Sequence, residues 1–214
     1  GGGGDDPVEV MRPLWDVGAM QNAIRQRVGR LQSFRQARFI TLRSAEVPRD
    51  DPSTIEVVSD FVAGHRLSQY LDAAQAGAIP LSTNAAVYIL RELIGALTLL
   101  QESRGITHGA VAPERLLITP KGRVVVADYV LGPAIERLEF SRARLWREFR
   151  VTVPPGKGHP KLDDRADVMQ VGMTAAALLL GRPIDYAEFP DHLDDLLVAL
   201  GHVHRTDGME PIPP

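Results

Sequence analysis

Few side chains in this 214-residue chain stand in patterns that are typical of covalent or metal chemistry. The lack of cysteine excludes thiolate nucleophiles, disulfides and cysteine-ligated zinc. Asp128 follows a short apolar run and is a weak metal candidate, because a lone carboxylate holds Mg²⁺ poorly without substrate phosphates. The alternative is that Asp128 caps a turn. His202 and His204 have the alternate spacing of a metal site on a strand, although such a pair in a glycine- and aspartate-containing tail is more often solvated.

Arginine dominates the basic residues of the chain. Arginine accounts for 21 of the 24, and lysine occurs only at positions 121, 157 and 161. The formal net charge of −3 gives no basic footprint of the kind that nucleic-acid-binding proteins carry. Arginines at helical spacing surround a tryptophan in residues 142–150, which predicts either a solvated helix face or a partner-docking surface. The candidate surface consists of Arg142, Trp146, Arg147 and Arg150.

Hydrophobic periodicity supplies the elements that must position these residues. Apolar residues at three- and four-residue steps predict helices over 13–34, 67–76, 83–102, 167–180 and 192–203. Runs of β-branched and aromatic residues predict strands over 38–42, 54–62, 116–118 and 124–127, the last two as a hairpin. Residues 132–162 are expected to form a mixed loop. The fold class that follows is α+β and mainly helical.

The ends of the chain give no sign of targeting. Residues 1–12 open with four glycines, which are typical of a flexible linker or tag. The charged and apolar regions of a signal peptide are missing from this sequence. The apolar stretch 85–100 is interrupted by Arg91 and Glu92, which predicts an amphipathic helix rather than a membrane span. We therefore expect a cytoplasmic protein with no membrane segment in this chain.

Four segments, in the right order, resemble the motifs of protein kinases of the bacterial serine/threonine type. Residues 61–71 (FVAGHRLSQYL) are similar to the hinge and the first helix of the large lobe. Residues 105–118 (GITHGAVAPERLLI) resemble the catalytic loop, which usually reads H-R-D-L-K-P-E-N-L-L-I. Residues 126–130 (VADYV) stand where the metal-binding D-F-G falls, and residues 164–172 (DRADVMQVG) resemble the helix that anchors the catalytic loop. The resemblance covers about residues 55–185.

This resemblance implies a protein kinase-like organisation with a shortened small lobe. Residues 13–62 would form the reduced small lobe, with one helix and two strands. Residues 63–214 would form a kinase-like large lobe that is incomplete at its C-terminal end. The glycine-rich strand pair that covers the nucleotide phosphates in kinases has no counterpart in this sequence.

The catalytic roles that the resemblance implies are not supplied by the matching residues. Ala110 replaces the Asp that accepts the substrate proton, and Ala112 replaces the Lys that offsets phosphoryl charge. Arg115 replaces the Asn that helps to hold the metal, which puts a cation where a dication binds. No lysine before residue 121 can pair the nucleotide phosphates, and the helix that would hold that lysine is basic at residues 24–28. Arginine is not a conservative replacement for such a lysine.

The positions to which the resemblance gives structural roles are retained. His108 matches the catalytic-loop histidine and Tyr129 the D-F-G aromatic, so we expect the two side chains to pack together. Asp167 lies on an apolar helix that should be buried on most faces, and it is expected to accept hydrogen bonds from the backbone around His108 and Gly109. Asp128 alone remains of the polar catalytic set.

These features favour a catalytically inactive pseudokinase. It would bind or scaffold a protein partner in signalling, and this partner could be another domain of the same polypeptide. It would need no cofactor. One alternative is a degenerate nucleotide sensor or weak phosphotransferase that uses Asp128 and an arginine in place of the lysine. A second alternative is a helical adaptor whose likeness to kinases is coincidental.

Overall fold

The computed structural model describes residues 7–203 of the chain. Its helices are α1 (Pro7–Leu31), α2 (Leu67–Gln75), α3 (Thr83–Arg104), α4 (Leu131–Glu136), α5 (Arg142–Phe149), α6 (Asp164–Leu180) and α7 (Leu193–Gly201). Its strands are β1 (Leu42–Glu46), β2 (Glu56–Ser59), β3 (His65–Arg66), β4 (Leu116–Ile118) and β5 (Val124–Val126). Short 3₁₀ turns occur at Pro113–Arg115 and Tyr186–Glu188. The mainly helical α+β class predicted from the sequence is confirmed.

The N-terminal unit consists of α1 and the antiparallel β1–β2 hairpin. The buried face of α1 carries Ala23, Ile24, Val28 and Leu31 at helical spacing, and the helix packs against β1 and α4. The helix begins at Pro7 instead of residue 13, because proline suits the first helical position, where its missing N–H costs nothing. The prediction of a linker over residues 1–12 is therefore wrong for 7–12, while residues 1–6 lie outside the described part.

The first predicted strand was placed too early. Residues 37 and 38 form a turn, and Phe39 makes a single parallel bridge, in which it lies opposite Val126 of the C-terminal unit. The Ile40 N–H donates to the Val126 carbonyl at 3.0 Å, and this bond joins the two units. The strand that pairs with β2 begins at Leu42, and β2 itself is shorter than the predicted 54–62.

The C-terminal unit is organised around α3 and α6, which pack against each other. Helix α3 begins after Ser82, whose side chain accepts the Ala85 N–H at 3.1 Å, and it ends at Gly105 with a left-handed φ of 62°. The helix begins at the predicted residue 83 and runs two residues past the predicted end at residue 102. By length and composition alone, α3 is also apolar enough to cross a membrane. In this fold one face of α3 is buried and contributes Ala86, Ile89, Leu93, Ala96 and Leu100 to the core, while Val87, Tyr88 and Ile94 are exposed.

Helix α6 is covered on most of its surface. Its buried side chains occupy one broad face, while Val168 is 74% exposed. The helix also begins three residues earlier than predicted, since the Asp163 side chain accepts the backbone N–H groups of Arg165 and Ala166. Of residues 167–180 only Val168 and Gly172 are exposed, so the expectation of a helix buried on most faces is confirmed.

Strands β3, β4 and β5 form a small antiparallel sheet, and the chain reaches it through Gly64. A Cβ at Gly64 would lie 2.5 Å from the Ile118 carbonyl oxygen, so the close approach of this linker to β4 requires glycine. Beyond β5, the expected mixed loop 132–162 contains α5 and nearly all of α4. The Ser141 side chain accepts the Arg144 N–H and so begins α5.

Candidate functional site

The loop that carries His108 is held from below by α6. Asp167 Oδ2 accepts the His108 N–H at 2.9 Å and Oδ1 accepts the Gly109 N–H at 2.6 Å, which are the hydrogen bonds expected for this residue. Gly109 has a φ of 76°, a conformation that glycine adopts at little cost. Burial raises the pKa of Asp167, against the lowering effect of these two bonds and of Arg27.

Gln170 is a second anchor of this loop, and the sequence reasoning gave it no role. Its side chain accepts the Val111 N–H at 2.7 Å and donates to the Gly109 and Thr152 carbonyls at 2.9 and 3.0 Å. Gln170 is fully buried. Its position three residues after Asp167, on the same face of an apolar helix, is the signal that could have identified it.

The His108 ring is fully buried and bonded on both nitrogens. Nδ1 accepts the Ala110 N–H at 3.1 Å, so Nε2 carries the proton and donates to the Ala127 carbonyl at 2.9 Å. Burial lowers the pKa of His108 to about 3, which keeps the ring neutral. The ring therefore holds backbone segments together and does not face a substrate.

Tyr129 packs elsewhere than predicted. Its described ring contacts are with Phe39 and Phe34, at centroid distances of 5.0 and 6.3 Å, and its hydroxyl donates to the Ile40 carbonyl at 2.6 Å. Burial raises the pKa of Tyr129 to about 12. The expected His108–Tyr129 pair is not among the described contacts, and this aromatic cluster joins the two units instead.

Arg27 of α1 provides a further link that the sequence did not predict. Its guanidinium donates to the Thr107 carbonyl at 2.8 Å and to the Tyr129 carbonyl at 3.3 Å. Burial lowers the pKa of Arg27 to about 10. This α1 residue therefore contacts both the His108 loop and the segment after Asp128.

The two alanines at the catalytic positions are buried. Ala110 and Ala112 each present a methyl group where the kinase resemblance places a proton acceptor and a cation. Ala112 lines a cavity of about 30 Å³, enough for a water molecule or two, together with Glu114 and Thr152. Glu114 Oε2 and Thr152 Oγ1 are buried there without hydrogen-bond partners.

Asp128 lies among arginines. Arg66 Nη1 is 3.9 Å from its Oδ2 atom, and the nearby charge of Asp128 raises the pKa of Arg115, which burial lowers more strongly. Arg115 is itself buried, and Nη2 donates to the Phe149 carbonyl. The residues of this site do not fit a divalent cation, because guanidinium groups already supply the positive charge beside the carboxylate.

The backbone at Asp128 forms a turn. Asp128 has a φ of 56°, in the left-handed region that Asp enters more readily than most residues, and its carbonyl accepts the Leu131 N–H at 3.1 Å. Within residues 7–203, no group of three or more His, Asp or Glu side chains is arranged to hold a metal ion. The backbone geometry supports the turn interpretation of Asp128. His202 lies at the end of α7, not on a strand, and His204 is outside the described residues.

Three of the four residues predicted to form a partner surface are used inside this chain. Trp146 is 7% exposed, and its Nε1 donates to the Tyr186 carbonyl at 3.1 Å. Arg150 stacks on the Tyr186 ring at 3.6 Å, and Arg142 lies 5.0 Å from the centre of the Phe189 ring. Arg147 remains exposed. The predicted surface is therefore wrong for Trp146, Arg142 and Arg150, which attach α5 to residues 184–189.

Comparisons with known proteins agree with this geometry. No protein-family model matches the chain. Over 131 residues it is 24% identical to a protein of Lactococcus lactis subsp. lactis (strain IL1403) named "Probable serine/threonine-protein kinase PknB". The match covers 60% of this chain and 20% of that protein, so the chain spans about a fifth of the length of this relative.

A solved structure shows the same architecture. The kinase domain of maize SIRK1, a sucrose-induced receptor kinase crystallised with AMP-PNP, superposes with a TM-score of 0.62 and 20% identity. That match covers 86% of this chain and 74% of the maize chain. The fold, the anchored His108 loop and these similarities together show that the chain has a protein kinase-like fold.

Proposed function

We propose that this chain is a pseudokinase domain that transfers no phosphate and acts as a protein-binding or scaffolding module in signalling. The observation that carries this proposal is the arginine environment of Asp128, together with the methyl groups at Ala110 and Ala112. Phosphoryl transfer depends on positioned metal ions and on a residue that orients or deprotonates the nucleophile. The residues at these positions supply neither.

The likeness to protein kinases also suggests a division of the chain into two lobes. The reduced small lobe would comprise residues 13–62, extended by the first turns of α1, and the large lobe would comprise residues 63–214. We further propose a bacterial signalling protein with a cytoplasmic domain of this kind, in keeping with the similarity to PknB. The binding partner would be a protein, which includes other domains of the same polypeptide.

A nucleotide titration tests the loss of ATP binding. The 214-residue chain is heated with 0–5 mM ATP, with and without Mg²⁺, and its melting temperature is recorded. A ligand at one hundred times its Kd stabilises the native state by about 2.7 kcal/mol, which raises Tm by roughly 5–10 °C for a domain of this size. The proposal predicts no shift above about 1 °C under either condition.

A phosphotransfer assay with a matched variant tests the loss of chemistry. Radiolabelled ATP and a mixture of generic protein substrates are incubated with the chain and with Asp128→Ala. Equal background labelling is expected from both. Metal-dependent transfer that Asp128→Ala abolishes would refute the pseudokinase assignment and support a weak phosphotransferase.

The second candidate is a nucleotide sensor, and one observation favours it. Arg66 is about half exposed and lies near Asp128, so a guanidinium is available to a phosphate at this position. A sensor of this type would show a thermal shift with ATP that Arg66→Ala removes while the phosphotransfer assay stays blank. The two assays therefore separate the three outcomes.

A further inference from the structure

The outer edge of β2 carries no partner strand in the described part of the chain. Strand β2 pairs with β1 on one side only, and the two strands form a sheet by themselves. All four of its residues are exposed, and Val57 and Val58 leave 37% and 49% of their surface in solvent. Unpaired edges with exposed β-branched residues are templates for a further strand.

The backbone of β2 is oriented for such pairing. The Asp60 N–H donates to the Thr41 carbonyl at 2.9 Å, so the backbone N–H and C=O groups of Asp60 point towards β1. In an antiparallel pair, every second residue faces the partner strand, which directs Val58 towards β1 and Val57 and Ser59 away from it. The irregularity in this ladder lies on β1, between Leu42 and Ser44, and leaves the alternation along β2 unchanged.

Hydrogen bonds from α1 and β1 fix the two ends of β2. Gln21 of α1 donates through Nε2 to the Pro52 and Thr54 carbonyls, at 3.0 and 2.7 Å, just before β2 begins. After β2, Asp60 accepts two hydrogen bonds from Arg43 of β1 at 2.6 and 2.8 Å. A strand fixed at both ends loses little conformational entropy when another strand pairs with it.

The β1–β2 hairpin is mainly acidic, which favours a basic partner segment. Residues 42–60 contain five carboxylates and two arginines, and one of those arginines is already paired with Asp60. Glu46 and Glu56 lie directly opposite each other in the register, a like-charge pair that is unfavourable unless a cation lies near it. Basic residues on an added strand would supply that cation.

We propose that the free edge of β2 is a strand-addition site for an extended segment of a partner protein in which basic and apolar residues alternate. Such binding takes its affinity from main-chain hydrogen bonds and its specificity from alternate side chains. Pairing with a second copy would bring two acidic edges together. The undescribed ends of the chain do not match either, because residues 1–6 are glycine and aspartate and residues 204–214 include three prolines.

This site rests on the binding part of the proposed function and not on the loss of catalysis. Its test uses a synthetic probe, acetyl-Lys-Val-Lys-Val-Lys-Val-amide, titrated into the ¹⁵N-labelled chain. The expected result is saturable shift changes centred on residues 56–59. A probe with N-methylated valines lacks the N–H donors for strand pairing and should bind at least tenfold more weakly. A Glu-Val probe of the same length, which carries the opposite charge, should also bind at least tenfold more weakly. Nucleotide and phosphotransfer assays do not report on this edge, so failure of either proposal is recognised separately.

A pair of variants makes the test independent of probe chemistry. Val57→Pro removes the outward N–H and should weaken binding of the Lys-Val probe at least tenfold, whereas Val57→Thr keeps this donor and should bind it within twofold of the original chain. Equal binding of the N-methylated probe, or shift changes centred away from β2, would overturn the proposal. Concentration-dependent self-association that Val57→Pro removes would overturn it in favour of a second copy.

Discussion

Replacing Gln170 by leucine tests whether α6 holds the His108 loop through this side chain. Leucine has a similar volume, so the change removes hydrogen bonds without opening a large cavity. Gln170 serves three backbone groups, the Val111 N–H and the carbonyls of Gly109 and Thr152, and all three bonds are buried. Each buried polar group left without a partner costs about 1–3 kcal/mol. The lower bound for Gln170→Leu is therefore about 3 kcal/mol of unfolding free energy.

The measurement is urea unfolding followed by circular dichroism, with a melting curve as a second reading. A loss of about 3 kcal/mol is a large share of the 5–15 kcal/mol that stabilises a typical domain, and it lowers Tm by roughly 6–12 °C. Gln101→Leu, at an exposed position of α3, is the matched control and should change stability by no more than about 0.5 kcal/mol. A Gln170→Leu chain within 1 kcal/mol of the original would refute the anchoring role.

Two further predictions concern the same loop. Gly132→Ala should destabilise the chain by about 1–3 kcal/mol in urea unfolding, because the added Cβ would lie 2.5 Å from the His108 carbonyl oxygen. Gly172→Ala is the matched control: no atom lies within 4 Å of its new Cβ, so it should stabilise the chain by about 0.5–1 kcal/mol. Equal effects of the two substitutions on stability would contradict the predicted clash at Gly132. Because the pKa of His108 falls to about 3 on folding, the unfolded chain takes up the proton first as pH falls below about 6.5. The free energy of unfolding should therefore drop by about 2 kcal/mol from pH 6.5 to pH 5. A flat profile would exclude the buried neutral ring. Asp167 acts in the opposite sense, because its raised pKa makes its protonation stabilise the folded chain as pH falls.

The helices with strong local signals could be predicted from the sequence. The start and stop of α3 follow from Ser82 and Gly105, whose effects act within one turn of the helix. The strand at 38–42 was misplaced because Phe39 extends along β5 of the other unit, a contact far away in sequence. Local propensity contains no information about that partner.

The candidate site shows the same division. The role of Asp167 could be anticipated because a carboxylate on an apolar helix needs donors, and the kinase resemblance implies that the backbone around His108 and Gly109 supplies them. Trp146 was predicted to face a partner, yet residues 184–189 cover it, and no pattern around position 146 indicates that cover. Arg27 was missed because its two acceptors are backbone carbonyls 80 and 102 residues away.

The hydrogen bonds that shape the His108 loop are independent of the residues that catalysis would require. Asp167, Gln170 and the His108 ring bind backbone atoms, so the path of the loop does not depend on a polar side chain at position 110 or 112. Because both of those positions hold buried methyl groups, the loop incurs no cost of burying an unpaired charge there. Alanine at positions 110 and 112 is therefore compatible with a stable kinase-like fold.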